Sequence, residues 1–244
     1  MKKLISIGLC TVVLLVMLSG CSYDQAIIQA EFLEMLEEPA EIESIAAVGF
    51  FLDKNLGKME TNDADQMVIA YEDYIFTFNN ESLEYRTFLE QFKKYISQPL
   101  SELYQIKIEE QENPIAVNTV LQMSWRQITD RAMRLELFIK ENSKNEQIKE
   151  EAKSIYEYYI NAILMGTTGT PIFSYQDGMF SEDAKNAYIG FSSEYPDTLI
   201  TTIFNEYFSY LESINFKLNY KNTTEVKIFY DTCTYLVSEA GKRV

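Results

Sequence analysis

The side chains that could do covalent or acid–base chemistry in this chain are three cysteines and 37 carboxylates, and histidine is absent. Without histidine the sequence excludes a Ser–His–Asp triad, a Cys–His pair, histidine-ligated zinc and a histidine pH switch. The 244 residues include only 21 lysines and arginines, which gives a net charge of −16. This acid excess repels nucleic-acid phosphate, so we expect no nucleic-acid partner.

The acidic residues occur in short runs that lack the pattern of a metal or catalytic site. Asp63 and Asp65 lie one residue apart, and Glu109, Glu110 and Glu112 lie in a polar stretch. A calcium loop needs more oxygen ligands and a central glycine, and a glycosidase needs two carboxylates that face each other across a cleft. We interpret the first run as a helix start, where acids are favoured, and the second as solvated surface. We therefore predict no catalytic residue, no metal ligand and no cofactor.

Cys21 is the cysteine with the most informative surroundings. Lys2 and Lys3 begin the chain, an apolar run extends over residues 4–18, and Leu18-Ser19-Gly20 leads directly into Cys21. A permanent membrane span needs about 20 apolar residues. The shorter run therefore suits the apolar core of a cleaved signal peptide better than the alternative, an uncleaved membrane anchor.

This segment resembles the N-terminus of a bacterial lipoprotein precursor, because its basic start, apolar core, small residues and cysteine follow the order of a lipobox. The resemblance implies that Leu18, Ser19 and Gly20 are recognised by signal peptidase II and that residues 1–20 are removed. It also implies that Cys21 is lipidated with diacylglycerol, with acyl chains such as palmitate. The mature protein would then be a lipid-anchored protein of the cell membrane that faces the extracytoplasmic side.

Removal of the signal peptide changes the charge and the cysteine count. The net charge becomes −18 because Lys2 and Lys3 leave, so the lipid rather than attraction to anionic lipid headgroups must provide the anchor. Cys10 also leaves and Cys21 is lipidated, so no intramolecular disulfide can form and the fold depends on a hydrophobic core. The remaining thiol, Cys233, lies in an apolar helical pattern, which predicts a buried side chain rather than a nucleophile.

Apolar residues recur at helical spacing along most of the mature chain. We therefore predict an all-α fold, an irregular bundle of about seven to nine helices. The two clearest helices include residues 117–139 and 148–163, and a turn at 142–145 should let them pack as an antiparallel hairpin. Residues 106–114 are polar and are expected to form a loop. The pattern admits a short β-hairpin near 214–229.

The strongest break in the helical pattern is the run Gly166-Thr167-Thr168-Gly169-Thr170-Pro171. We predict one mature domain over residues 21–244, with a subdivision, if there is one, near 166–180. The apolar side chains after Pro171 indicate an ordered loop. Most aromatic residues of the chain fit the core pattern, but if there is a ligand site we expect it in this loop, because Phe173 and Tyr175 offer aromatic rings, Asp177 offers a carboxylate, and loops often have functional roles.

Three functions are compatible with these features. The sequence favours a non-catalytic module of the cell envelope that binds the membrane through the lipid on Cys21 and also binds an envelope protein or another envelope component. The first alternative is a small-ligand binding protein associated with a transporter, although such proteins usually alternate strands and helices. The second is a carboxylate-dependent envelope hydrolase. A deep polar pocket would favour either alternative, and a flat apolar patch would favour the envelope module.

The lipid anchor is testable at one residue. Cys21→Ser removes the thiol that would be alkylated, so we expect an unlipidated precursor that retains residues 1–20. Mass spectrometry of the protein from its native host and partitioning into detergent measure the two properties. A Cys21→Ser protein that is still processed and still partitions into detergent would show that the anchor assignment is wrong.

Overall fold

The computed structural model of the protein describes residues 23–78 and 83–244, so residues 18–21, predicted as the lipobox, lie outside the described residues. The described part of the chain contains ten α-helices, one 3-10 turn at Leu56–Lys58 and one two-stranded hairpin. The all-α prediction is confirmed, with slightly more helices than expected. Contacts group the described residues into one unit that ends at Ile108 and a second that extends from Glu109 to Val244.

The first unit packs short helices around an aromatic core. Its helices are α1 (Tyr23–Glu37), α2 (Ile42–Asn55), α3 (Thr61–Phe78), α4 (Tyr85–Phe92) and α5 (Gln98–Glu112), of which the last four residues belong to the second unit. Helices α1, α2 and α3 contact one another. The ring of Phe88 in α4 lies 5.3 Å from that of Tyr104 in α5 and 6.0 Å from that of Tyr71 in α3. Aromatic pairs of this kind stabilise a core beyond the area they bury.

A buried ionic cluster joins three helices of the first unit. The Glu72 side chain of α3 is almost fully buried and accepts hydrogen bonds from Tyr85 of α4 at 2.7 Å and Tyr104 of α5 at 2.9 Å. Lys107 of α5 forms a 2.6 Å ion pair with the same carboxylate. A buried charge is tolerated when it is paired and hydrogen-bonded in this way. The cluster therefore fixes the positions of α3, α4 and α5.

The second unit is built around one long helix. Its elements are β1 (Ala116–Val117), β2 (Val120–Leu121), α6 (Trp125–Glu141), α7 (Glu146–Met165), α8 (Glu182–Glu194), α9 (Leu199–Ser213) and α10 (Thr223–Arg243). Helix α7 packs against α6 on one side and α10 on another, and α9 contacts both α8 and α10. The predicted pairing of two long helices across a short turn is confirmed by α6 and α7.

The start of α6 corrects one sequence prediction. Val117 and Val120 continue the apolar period of this helix, but they form the antiparallel β1–β2 hairpin instead. The helix begins at Trp125 because Ser124 is its N-cap and accepts a hydrogen bond from the backbone N–H of Gln127. Asn118 in the turn has φ of 48°, which suits a tight hairpin turn. The hairpin thus lies here and not near 214–229.

The polar segment predicted as a loop at 106–114 is also different. Helix α5 continues to Glu112, and the acids of its last turn pair with arginines of α6. Glu110 accepts a 2.6 Å hydrogen bond from Arg131, and Glu109 accepts one of 2.9 Å from Arg134. Burial raises the pKa of Glu110 although Tyr159 and Arg131 donate to its carboxylate. The prediction of a solvated acidic loop was therefore wrong, because tertiary ion pairs stabilise the helix.

The carboxyl end of α7 is buried, which creates a demand for hydrogen-bond donors. The last four carbonyls of a helix have no partner within the helix. Two of those in α7 are satisfied by the backbone, because Gly166 N–H donates to Ala162 at 2.8 Å and Ile172 N–H donates to Met165 at 3.2 Å.

Two tyrosines satisfy the remaining carbonyls of α7. The Tyr188 hydroxyl of α8 donates to the Ile163 carbonyl at 2.6 Å, and the Tyr207 hydroxyl of α9 donates to the Leu164 carbonyl at 2.6 Å. Both tyrosines are fully buried, and this burial raises the pKa of each phenol far above its usual range. The hydroxyls therefore remain protonated donors. Together they hold α8 and α9 against the end of α7.

We predict that these two hydroxyls contribute measurably to stability. Tyr188→Phe keeps the ring and leaves the buried Ile163 carbonyl without its donor, which should lower the free energy of unfolding by about 1–3 kcal/mol. Tyr207→Phe should cost less, because the Cys233 thiol also lies 3.9 Å from the Leu164 carbonyl. Urea denaturation measures both values. Tyr235→Phe, at a tyrosine that is 59% exposed, is the control and should change little. Equal values for all three variants would contradict this account.

Candidate functional site

The loop after α7 leaves the helix through a glycine that no other residue can easily replace. Gly166 has φ of 70°, and a Cβ atom there would lie 2.3 Å from the Thr170 carbonyl oxygen. The chain then reverses, so that Gly166 and Pro171 form an isolated β-bridge. Only glycine combines this left-handed conformation with such a close backbone approach.

A second reversal completes the loop. Phe173 and Phe180 form an antiparallel bridge, and Met179 bridges to Lys217. Gly178 lies in the turn with φ of 72°, and its carbonyl accepts a 2.8 Å hydrogen bond from the Leu218 N–H. The loop is therefore ordered, as predicted, and belongs to the second unit.

An open cleft of about 230 Å³ lies between this loop, the end of α7 and the start of α10. Its walls include one amide, one thioether and several aromatic rings, contributed by Asn161, Met165, Phe173, Tyr175, Tyr220 and Tyr230. Among the described residues that line the cleft, none is acidic or basic. More of its exposed lining is polar than apolar. Binding sites for small molecules usually have volumes of about 300–1,000 Å³ and combine aromatic rings with a few polar groups, so this cleft suits a ligand at the small end of that range.

The aromatic wall of the cleft combines buried rings with rings that are partly exposed to solvent. The Phe173 ring is buried and meets the buried Phe229 ring edge to face at 5.2 Å. The rings of Tyr175 and Tyr220 contact each other, with centroids 5.2 Å apart and planes inclined at 49°. Tyr175 is 58% exposed and Tyr230 is 46% exposed. These rings offer apolar surface to a ligand at little cost in ordering.

One hydrogen bond fixes the position of the loop relative to the residues before α10. The Tyr220 hydroxyl donates to the Phe173 carbonyl oxygen at 3.0 Å. Burial, and then the neighbouring Tyr175 and Tyr230, raise the pKa of Tyr220 to about 12. The phenol is therefore neutral at physiological pH and keeps this contact.

The polar groups of the cleft differ in their availability. The Thr167 hydroxyl is used within the fold, since it donates to the Thr119 carbonyl and accepts from the Thr170 N–H at 3.2 Å. Within residues 23–78 and 83–244, by contrast, the Asn161 amide and the Tyr230 hydroxyl have no hydrogen-bond partner. These two groups are able to bond to a ligand without breaking a contact of the protein.

The structure separates the three loop residues that the sequence singled out. Phe173 and Tyr175 line the cleft. Asp177 does not, because its exposed carboxylate accepts a 3.0 Å hydrogen bond from the Met179 N–H in the turn. That bond lowers the pKa of Asp177. The Asp177 carboxylate therefore stabilises the turn.

Sequence reasoning missed the residues that reach the cleft from elsewhere. Phe229 and Tyr230 follow the apolar pattern of the last predicted helix, and nothing in the sequence pattern singles out Asn161 or Tyr220. Tyr230 follows a buried residue on α10 and is itself exposed. The sequence signal that could have identified Tyr230 as a cleft residue is an aromatic side chain on the exposed side of a predicted helix.

The described part of the chain gives less support to three other kinds of site, which are a reactive thiol, a metal site and a second cavity. Cys233 is buried, and burial raises the pKa of its thiol, which confirms the prediction of a buried thiol. No group of three or more side chains placed to hold a metal ion occurs in residues 23–78 and 83–244. A smaller cavity of about 50 Å³ in the first unit is lined by Gln29, Phe32 and Met67 among others. Its surface is mostly apolar, so the larger cleft is the better candidate.

The predicted anchor residues lie outside the description of the structure. Leu18, Ser19, Gly20 and Cys21 all precede the first described residue. Among the helices that the structure describes, none is long and apolar enough to cross a bilayer.

Comparison with known proteins gives no relative from which to transfer a function. No family model matches the chain, and no curated protein or solved structure is detectably similar to it. The geometry of the cleft is therefore the basis for the proposals below.

We predict that the loop geometry depends on Gly178. In Gly178→Ala the new Cβ would lie 2.2 Å from the Leu218 carbonyl oxygen at a φ of 72°. We expect the free energy of unfolding to fall by about 2–4 kcal/mol in urea denaturation.

The matched control for this prediction is Gly190→Ala. Gly190 lies on the exposed side of α8, and a Cβ there would have no neighbour within 4 Å. Because alanine favours a helix, this change should raise stability by about 0.5–1 kcal/mol. If Gly178→Ala were as stable as the unaltered protein, the role assigned to this turn would be wrong.

Proposed function

We propose that this protein is a lipid-anchored, extracytoplasmic binding protein whose cleft beside residues 166–180 takes an uncharged small ligand. The main support is that a cleft of about 230 Å³ in a chain of net charge −16 is lined by aromatic, amide and hydroxyl groups, with no carboxylate, lysine or arginine among the described lining residues. The anchor rests on the resemblance of residues 1–21 to a lipoprotein precursor.

Binding fits the groups in this cleft better than catalysis does. General acid–base catalysis uses a side chain whose pKa lies near the operating pH. Tyr220, with a pKa of about 12, stays protonated at neutral pH. The carboxylates with a raised pKa lie outside the cleft. Asp65 accepts from the Ser97 N–H at 2.7 Å, Glu110 is paired with Arg131, and burial together with the neighbouring Glu72 raises the pKa of Asp73.

The size of the cleft favours a small ligand over a protein surface. A stable protein–protein interface buries about 800 Å² on each partner, whereas this site is a local concavity between one loop and two helix ends. The chain nevertheless lacks the alternating strand and helix pattern of transporter-associated binding proteins, since its described residues are almost wholly helical. We therefore propose ligand binding without assigning a transporter.

The proposed anchor lies close in sequence to the folded protein. Helix α1 begins at Tyr23, so only Ser22 separates it from Cys21. Lipidation of Cys21 would therefore hold the first unit at the bilayer surface, with no long linker. Such a short tether favours a role at the membrane itself.

We predict that uncharged compounds stabilise the protein and charged ones do not. The lipidated protein in detergent is heated with single compounds from three sets: uncharged sugars, capped amino-acid amides and aromatic amides; phosphates and carboxylates; and amines. A ligand at one hundred times its Kd should stabilise the folded protein by about 2.7 kcal/mol, which differential scanning fluorimetry detects as a higher Tm.

Two variants locate the effect. Tyr175→Ala removes an exposed ring from the cleft and should abolish most of the shift. Tyr235→Ala removes an equally exposed ring from α10 that does not line the cleft, so it should leave the shift unchanged. The proposal would be rejected if no uncharged compound raised Tm, or if both variants responded alike.

A further inference from the structure

The cleft has two features that narrow the chemistry of its ligand. Tyr175, Tyr220 and Tyr230 present aromatic rings, of which the first and last are about half exposed. Asn161 and Tyr230 add polar groups that have no hydrogen-bond partner in the part of the chain that the structure describes. A matching ligand must therefore have both apolar faces and hydrogen-bonding groups.

The absence of charge in the described lining argues against ionised ligands. A phosphate, a carboxylate or an ammonium group that enters a cleft without a counter-charge loses hydration that nothing replaces. Anions are additionally repelled by the net charge of −16. Nucleotides, amino acids and polyamines are poor matches for these reasons.

A purely apolar ligand is a poor match for the opposite reason. An acyl chain would bury the Asn161 amide and the Tyr230 hydroxyl without giving either a partner. Leaving a buried donor or acceptor unsatisfied is costly, while pairing it is favourable. The ligand should therefore carry hydroxyl or amide groups around its edge.

A sugar ring has this combination of properties. A pyranose has C–H groups on its faces, hydroxyls around its edge and no net charge. The Tyr175 ring is 58% exposed, and a C–H face packs well on an exposed aromatic surface. The Asn161 amide lines the same cleft and can hydrogen-bond the edge hydroxyls. A cleft of about 230 Å³ that opens to solvent suits one sugar ring, with a second ring extending from its mouth.

We propose that the cleft binds an uncharged carbohydrate of one or two sugar rings, with Tyr175 as the stacking residue and Asn161 as the hydrogen-bonding residue. The proposal rests on the proposed function of this cleft as a binding site and specifies its ligand class. Tyr220 acts as a positioning residue, because its hydroxyl holds the Phe173 carbonyl while its ring borders Tyr175.

The test uses the full lipidated protein in detergent and three uncharged disaccharides: maltose, cellobiose and N,N′-diacetylchitobiose. Isothermal titration calorimetry gives Kd, and saturation-transfer NMR reports which face of the sugar is in contact. Glucose, glucose 6-phosphate and glucosamine form a matched set that differs mainly in charge. We expect at least one disaccharide to bind, and the charged sugars to bind at least about tenfold more weakly than glucose.

The variants separate stacking from hydrogen bonding. Tyr175→Ala should weaken disaccharide binding by about tenfold or more, whereas Tyr175→Phe, which keeps the ring, should change Kd by less than about threefold. Asn161→Ala should weaken binding by about tenfold through the loss of a hydrogen bond. Tyr235→Ala, equally exposed but away from the cleft, should leave Kd unchanged. Circular dichroism of each variant checks that the fold is retained.

The outcomes distinguish this inference from the function on which it rests. If none of the three disaccharides binds while a capped amino-acid amide or an aromatic amide does, the carbohydrate assignment is overturned and the binding function stands. If no uncharged compound binds, both fail. If a disaccharide binds but Tyr175→Ala and Asn161→Ala bind it equally well, the assignment of the sugar to this cleft is overturned.

Discussion

The buried carboxyl end of α7 is the constraint on which the second unit depends. A helix that ends inside a protein must find donors for its last carbonyls. Here the hydroxyls of Tyr188 and Tyr207 reach the carbonyls of Ile163 and Leu164 at 2.6 Å each. Phenylalanine would fill the same space without donating. The requirement explains why tyrosine rather than phenylalanine occupies positions 188 and 207, and it ties α8 and α9 to α7.

The cleft follows from the same helix end. Because α7 stops in the interior, the chain must turn back at Gly166, and the returning loop then lies against the start of α10. Tyr220 likewise donates a hydrogen bond from its phenol to a main-chain carbonyl, here that of Phe173. Cys233 is a free, buried thiol and the one cysteine in the described part of the chain. Hydrogen bonds from neutral phenols fix elements here that disulfides fix in many small secreted domains. A phenol is already neutral at physiological pH, and burial raises the pKa of Tyr207 and Tyr220 further.

What the sequence could predict depended on whether the deciding contacts were local. Apolar periodicity identifies most helices, because it acts within a few residues. The N-cap Ser124 is an equally local signal, but the apolar period continues through it from Val117, so the predicted helix began too early. The ordered loop and two of its cleft residues, Phe173 and Tyr175, were also readable from the break after α7. The end of α5 was not, because its acids are held in a helix by arginines more than 20 residues away, as in the pair of Glu110 and Arg131. The lining residues on α10 depend likewise on which side of that helix meets α7.

The proposed specificity of the cleft depends mainly on the absence of charged side chains from its described lining. An acidic protein attracts cations to its surface in general, yet a cation in this cleft would find no carboxylate, since the described lining residues are neutral. An anion would find no basic side chain among the described lining residues, and the net negative charge of the chain would also repel it. Discrimination is a difference of affinities, and a site can reach it by penalising the wrong ligand as well as by favouring the right one. In a chain of net charge −16, a cleft lined by neutral Tyr, Thr and Asn side chains would penalise charged ligands through desolvation alone. The aromatic rings and the Asn161 amide would then select among the uncharged ligands.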